Sequence, residues 1–142
     1  MKLNVTLADG APLPKHAKKG DAGLDLTTRK DVLLLPGDSE TVGTGVSVEI
    51  PEGFAGLVFP RSGLASKKGV TLKNAVGVVD SGYRGEIMAP LLNVSDALQL
   101  VERGERICQL VIVPVETVEC VCVAALGSSE RGETGFGSSG RF

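Results

Sequence analysis

The chain has 142 residues, a length suited to one ordinary domain around a single core. Hydrophobic residues make up 42% and charged residues 23%, which excludes a wholly disordered chain. The net charge of −2 excludes bulk attraction to nucleic acid or anionic lipid, so any phosphate binding must come from locally placed Arg or Lys.

The N-terminal stretch MKLNVTLADGAPLPKHAKKG has no uninterrupted apolar segment, and nowhere do about 18 apolar residues run together, so a soluble, cytoplasmic protein without membrane partners is expected. Within it, KLNVTL alternates as a strand does. The only histidine, His16, sits in the Lys-rich loop that follows; Ser-His-Asp, Cys-His and multi-His zinc sites therefore lack enough imidazole. GDAGLDLTT contributes Asp21 and Asp25 among small residues. They read as turn and strand-end residues, or as carboxylates that need a cation between them and a phosphate.

Further strands are predicted in DVLLLP, TVGTGVSVEI, GFAGLVF, GVTLKNAVGVVD and EIMAPLLNV. Turns fall at Pro36-Gly37-Asp38, Pro51-Glu52-Gly53 and Arg103-Gly104-Glu105. A long strand-like run, LQLVERGERICQLVIVPVETVECVCVAAL, closes the series. With 19 glycines and 7 prolines spread along the chain, no window holds a long helical period, and an all-β sandwich or barrel is expected. The one short helix expected lies in RSGLASKKG, with Ser62 capping it and Gly69 stopping it; Arg61 and Ser62 there would face an anion. Cys120 and Cys122, two apart on a strand, are expected to share one face as buried thiols, and with Cys108 they make an odd count that fits a reducing compartment. Gln109 is the odd polar residue of a core strand and needs partners.

The tail GSSERGETGFGSSGRF, residues 127–142, breaks the strand pattern. It reads either as a frayed terminus or as a phosphate-gripping segment, in which backbone N–H groups and Arg131 converge on anionic oxygens while Phe136 stacks on a flat ligand. It lacks the Gly-Lys-Ser/Thr ending of a Walker loop. VVDSGYRGEI carries the Asp-Ser-Gly with which an aspartic-protease loop begins, but such a site needs paired carboxylates, and the chain offers one such triplet followed by Tyr83 and Arg84.

In order, DAGLDL, PRSGLA, GVVDSGYRGEI, GERICQLVI and RGETGFGSSGR resemble the five motifs of the trimeric dUTPases, over essentially the whole chain. The resemblance implies an all-β, jelly-roll-like barrel over residues 1–126. Residues 127–142 would be a flexible arm closing over the active site. It implies a homotrimer with shared sites and Mg²⁺-assisted hydrolysis of dUTP to dUMP and pyrophosphate, limiting uracil in DNA and supplying dUMP for dTMP synthesis. Asp80 would be the general base for water attacking the α-phosphorus. Arg61, Ser62, Gly63 and Gln109 would contact phosphates. Asn74, Val78 and Val79 would read uracil, Tyr83 would pack beneath the deoxyribose, and Met88 would touch the nucleotide. In the arm, Arg131 would grip the γ-phosphate, Phe136 would cover uracil, and Gly137 and Ser138 would donate to phosphate oxygens. Asp25 would act on the metal through water.

Two departures are visible, at Gly82, a position often acidic in the family, and at Ala65-Ser66-Lys67-Lys68; neither removes a group given a chemical role. The related dCTP deaminases, with an Arg-Ser-Ser type motif, are the alternative enzyme, and a trimer that binds dUTP without hydrolysing it is the alternative of another class.

Overall fold

The computed structural model describes residues 1–135. Ten strands and one short helix appear in the order β1 Asn4–Leu7, β2 Leu24–Thr27, β3 Val32–Leu34, β4 Ser39–Glu49, β5 Phe54–Pro60, α1 Ser62–Lys68, β6 Val70–Leu72, β7 Gly77–Val79, β8 Glu86–Asn93, β9 Gln99–Val101 and β10 Arg106–Pro114. One sheet runs β1-β4-β8-β6, the other β2-β10-β5-β7, and β3-β9 forms a two-stranded ribbon; every named pairing is antiparallel. The all-β expectation is borne out.

The period-2 pattern of the sequence explains how the sheets close on one core. Along β8, Ile87, Ala89, Leu91 and Asn93 are buried while Glu86 and Met88 face outward. The inward residues of β8 meet Val42, Val46 and Val48 of β4 and Leu26, Val58 and Leu110 from the second sheet in a single apolar cluster. The one fully buried amide side chain among the described residues, Asn93, is satisfied on every side: Nδ2 donates to Leu34 O (2.9 Å) and Ala97 O (2.8 Å), and Oδ1 accepts from Ser95 N (2.9 Å) and Ser95 Oγ (2.7 Å).

Between Gly43 and Ser47 the β4–β8 register shifts at a bulge. Gly45, at φ 72°, donates its N–H to Glu86 Oε1 (2.6 Å), and Thr44 Oγ1 donates to Ile87 O (2.7 Å). Those bonds fasten the start of β8, and with it the loop that enters it.

Three expectations are corrected. Helix α1 is present and Gly69 ends it in the left-handed region at φ 62°, but Ser62 is its first residue; Arg61, extended at φ −98° and ψ 129°, is the N-cap and makes no side-chain capping bond. The long final run divides into β9 and β10 and then stops, because residues 115–126 find no strand partner among the described residues. Cys120 and Cys122 are therefore exposed, and only Cys108 is buried. Alternation alone cannot say whether a partner strand lies in the same chain.

Candidate active site

Two cavities gather most of the singled-out residues, and they share no lining residue. The first, about 260 Å³, is walled by β6, β7 and the turn between them, the loop after β7 and the outer face of β8. Asn74, Val78, Val79, Asp80, Tyr83 and Met88 all line it. The turn between β6 and β7 is tight: Val76 N donates to Asn74 O (2.7 Å) and Ala75 takes φ 61°. Gly77, opposite Val58 on β5, leaves the Asn74 amide room to lie 3.4 Å from where a Cβ would stand. Val78 is 65% exposed, and Tyr83 and Met88 are each 44% exposed, so the slot presents apolar surface that a planar ring could cover.

Asp80 stands at the mouth of this slot, exposed, and no described residue bonds its carboxylate. Its loop is held by neighbours. Tyr83 N donates to Asp80 O (3.0 Å) and Tyr83 Oη to Glu86 O (2.9 Å), while Arg84 Nη1 donates to Ser81 O (2.6 Å) and Tyr83 O (2.9 Å). Arg84 in turn meets Glu49 at 3.3 Å. A hydrogen bond from Asn4 and the Arg84 guanidinium hold the Glu49 carboxyl below its ordinary value, although Glu49 is exposed. Gly85 is a steric requirement of this loop, since a Cβ there would lie 2.3 Å from Tyr83 Oη.

The second cavity, about 360 Å³, lies where β2, β10 and the end of β5 meet α1. The register sets Asp25, Gln109 and Phe59 side by side on one face, and Arg61 and Ser62 enter from the strand-to-helix junction. Gln109 Nε2 donates to Pro60 O (3.1 Å), and Gly23 makes space for its Oε1, which a Cβ would crowd to 2.3 Å. Asp25 accepts from Arg61 Nε (2.7 Å) at one oxygen and from Arg106 Nη1 (2.9 Å) at the other, with only 13% of its side chain exposed. Asp21 accepts from Lys18 N (2.8 Å), and His16 Nδ1 lies 3.0 Å from Gly23 O; both stabilise the loop that enters β2. Beneath this pocket the Cys108 thiol is pushed up to about 12, chiefly by burial and further by Asp25, with Arg61 opposing, so it stays protonated and inert.

Gly63 opens instead on an adjoining cleft beside Lys67, Lys68 and Arg106. Arg131 lines neither cavity and closes a local turn, with Nε donating to Thr134 O (3.1 Å). Phe136, Gly137 and Ser138 lie outside the described residues. Arg106 is the charged group that sequence reasoning passed over: it stands three residues before Gln109, but its reach to Asp25 depends on the irregularity in the β10–β2 register between Arg106 and Cys108.

No group of three or more His, Cys, Asp or Glu side chains that could hold a metal occurs among the described residues. Each Asp25 oxygen has two lone pairs and gives one to a guanidinium, leaving the other for water. That donor set fits a cation carried by phosphate and water rather than caged by protein. No helix is long and apolar enough to cross a membrane among the described residues.

Neither cavity alone is large against the roughly 300–1,000 Å³ of ordinary ligand sites, so each suits part of a ligand with an apolar, flat end and an anionic end. The dUTPase family model matches residues 9–140. The deoxyuridine 5'-triphosphate nucleotidohydrolase of Thermobifida fusca (strain YX) is 52% identical over 130 residues, covering 91% of this chain and 73% of that protein. The protein of the same name from Mycobacterium tuberculosis (strain H37Rv) is 49% identical over 142 residues, covering 96% and 92%. Among solved structures, the Staphylococcus bacteriophage 80alpha dUTPase with dUpNHpp superposes with a TM-score of 0.92 at 36% identity, covering 99% of each chain. The chain belongs to the dUTPase family.

Proposed function

We propose that the chain hydrolyses dUTP to dUMP and pyrophosphate, with the base and sugar in the slot walled by Asn74 and Tyr83 and the phosphates in the pocket of Arg61, Ser62 and Gln109. The observation that carries this reading is the pairing of an apolar slot beside an unengaged carboxylate with a separate pocket of guanidinium and amide donors. The relatives named for dUTP hydrolysis, and the solved relative holding a dUTP analogue, support the same substrate.

In the slot, Asn74 and the backbone of Val78 and Val79 bond the edge of uracil. A C5 methyl is excluded sterically, and cytosine leaves buried polar groups unpaired. The Tyr83 ring packs against the deoxyribose, where a 2′-hydroxyl has no room, and Met88 closes the far wall. Asp80 takes a proton from the water whose oxygen bonds to the α-phosphorus. The bond from that phosphorus to the bridging oxygen breaks, and pyrophosphate departs with the electron pair. A carboxylate is a weak general base, so most of the rate comes from alignment and charge neutralisation by Arg61, Ser62, Gly63, Gln109 and, from the arm, Arg131, Gly137 and Ser138. Phe136 covers the base. Asp25 would hold, through water, a Mg²⁺ ion carried by the triphosphate, and such an ion would supply further neutralisation of phosphate charge.

We also propose that the working form is a homotrimer with sites shared between chains. Asp80 and Arg61 line cavities that one chain does not join, and residues 115–126 expose Val118 (76%), Val121 (73%) and Leu126 (89%) in an unpaired segment that another copy would cover. Residues 127–142 then act as the closing arm. The product dUMP is a precursor for dTMP, and removing dUTP keeps uracil from DNA; the reaction is placed in the cytoplasm.

The test is pyrophosphate release with Mg²⁺ and each deoxynucleoside triphosphate in turn, with the mass of the active species taken by sedimentation. Release from dUTP alone, by a species of three chains, is expected. Comparable turnover of dCTP or dTTP would overturn the substrate, and an active single chain would overturn the shared site.

A further inference from the structure

The charge of the second cavity is a difficulty for any polyphosphate. The charged side chains that line it are Asp21, Asp25 and Arg61, two carboxylates against one guanidinium, and Asp25 sits directly on Arg61 at 2.7 Å. A one-to-one Arg–Asp pair has no net charge to offer an anion, and a second carboxylate makes the cavity net negative. Arg106 alters that balance from just outside the lining. Its Nη1 lies 2.9 Å from the other Asp25 oxygen, which brings the cavity from net negative to neutral, two carboxylates against two guanidiniums, and leaves the Arg61–Asp25–Arg106 triad itself with one positive charge in excess.

The turn that delivers Arg106 is itself fixed. Glu105, its immediate neighbour, accepts from Lys68 Nζ (2.8 Å) at the end of α1 and from Glu102 N (3.1 Å), and Lys68 Nζ also donates to Leu100 O (2.7 Å). Helix α1 is thus held at both ends to the junction of this turn with β10: its last residue to Glu105, and the residue before its first, Arg61, to Arg106 through Asp25. The Arg61 guanidinium is held at two points, by Asp25 at Nε (2.7 Å) and by Arg106 O at Nη1 (3.5 Å).

We propose that Arg106 is a positioning residue of the phosphate pocket: it occupies one oxygen of Asp25 so that Asp25 can aim Arg61 without cancelling the charge that a polyphosphate needs. This rests on the assignment of the triphosphate to the second cavity. Arg106 itself is 50% exposed, so its ion pair adds little to folding. The signature is therefore a loss of polyphosphate affinity without a loss of stability.

Calorimetric binding of a non-hydrolysable imido analogue of dUTP and of dUMP, with Mg²⁺, to wild type, Arg106→Gln and Arg106→Lys tests it. Arg106→Gln should weaken the triphosphate by about tenfold and dUMP by no more than about twofold, with a shallower dependence on salt, since one screened attraction is gone. Arg106→Lys, which keeps the charge, should recover most of the loss. Equal weakening of both ligands, an unchanged triphosphate affinity, or unfolding of Arg106→Gln would each overturn the inference, because each marks a scaffold role or none. Wild type that turns over dUTP while Arg106→Gln binds normally defeats this inference alone; wild type that binds no dUTP analogue defeats the site assignment and this inference with it.

Discussion

Gly85→Ala tests the architecture of the Asp80 loop through one added carbon. A Cβ built there lies 2.3 Å from Tyr83 Oη, 2.5 Å from Cζ and 3.0 Å from Cε2, so the ring has to retreat by at least about 1 Å to reach ordinary contact. The bond from Tyr83 Oη to Glu86 O (2.9 Å) is lost in that movement. At a ring 44% exposed the lost bond costs about 0.5 kcal/mol, the low end of the usual net value, so the urea midpoint should hardly move. The functional effect is larger, since a displacement of about 1 Å in a positioning group can lower turnover by about 100-fold, and kcat/KM for dUTP should fall by about 10- to 100-fold. The chain contains a single tyrosine and no tryptophan, so its intrinsic emission reports on this ring alone. The emission of Gly85→Ala should differ from wild type, and its response to dUMP should be diminished. Gly82→Ala, three residues earlier in the same loop, is the matched comparison, because its Cβ meets nothing within 4 Å. Unaltered emission and kcat/KM in Gly85→Ala, or equal losses in both variants, would refute the steric argument.

Asp80→Asn should keep nucleotide affinity while single-turnover hydrolysis drops by about 10²- to 10⁴-fold, the usual contribution of a general base; a chain that only binds dUTP would be indifferent to the change. Cys108, its thiol pushed up to about 12, should resist a thiol reagent at neutral pH until the protein is denatured, and rapid labelling of Cys108 in the native state would contradict its burial. The lowered value of Glu49 means that its contribution to stability is present above the unfolded value near 4.5 and is lost as pH falls through the lower folded value. The stability difference between wild type and Glu49→Gln should accordingly be seen at neutral pH and vanish in acid; a difference that grows in acid would reverse the sign.

Much of the first cavity was legible because its residues are close in sequence. Asn74, Val78, Val79, Asp80 and Tyr83 occupy the β6–β7 turn, the short strand β7 and the loop after it, where turn residues and alternation announce their own geometry. Helix α1, Ser62–Lys68, is visible for the same reason, through Gly69; its cap is not, because Ser62 is a preferred capping residue and the local code is silent on the extended Arg61 that takes the place. The second cavity was harder. Asp25 and Arg106 are far apart in the chain and meet only through the β2–β10 pairing, and its irregular register at Arg106 has no marker in composition. Cys120 and Cys122 failed on the remaining point: their alternation is real, but the surface that would bury them is not supplied by the described part of their own chain.

The division of the site into two cavities on one chain has a genetic consequence. Under the proposed assembly, the polypeptide is the unit of inheritance and the interface is the unit of function. A lesion at Asp80 on one copy and a lesion at Arg61 on another can coexist in a mixed trimer that still owns an undamaged site, because the intact halves come from different chains. The same two lesions on a single gene product leave none. Two silent alleles of this protein, expressed together, can therefore complement each other.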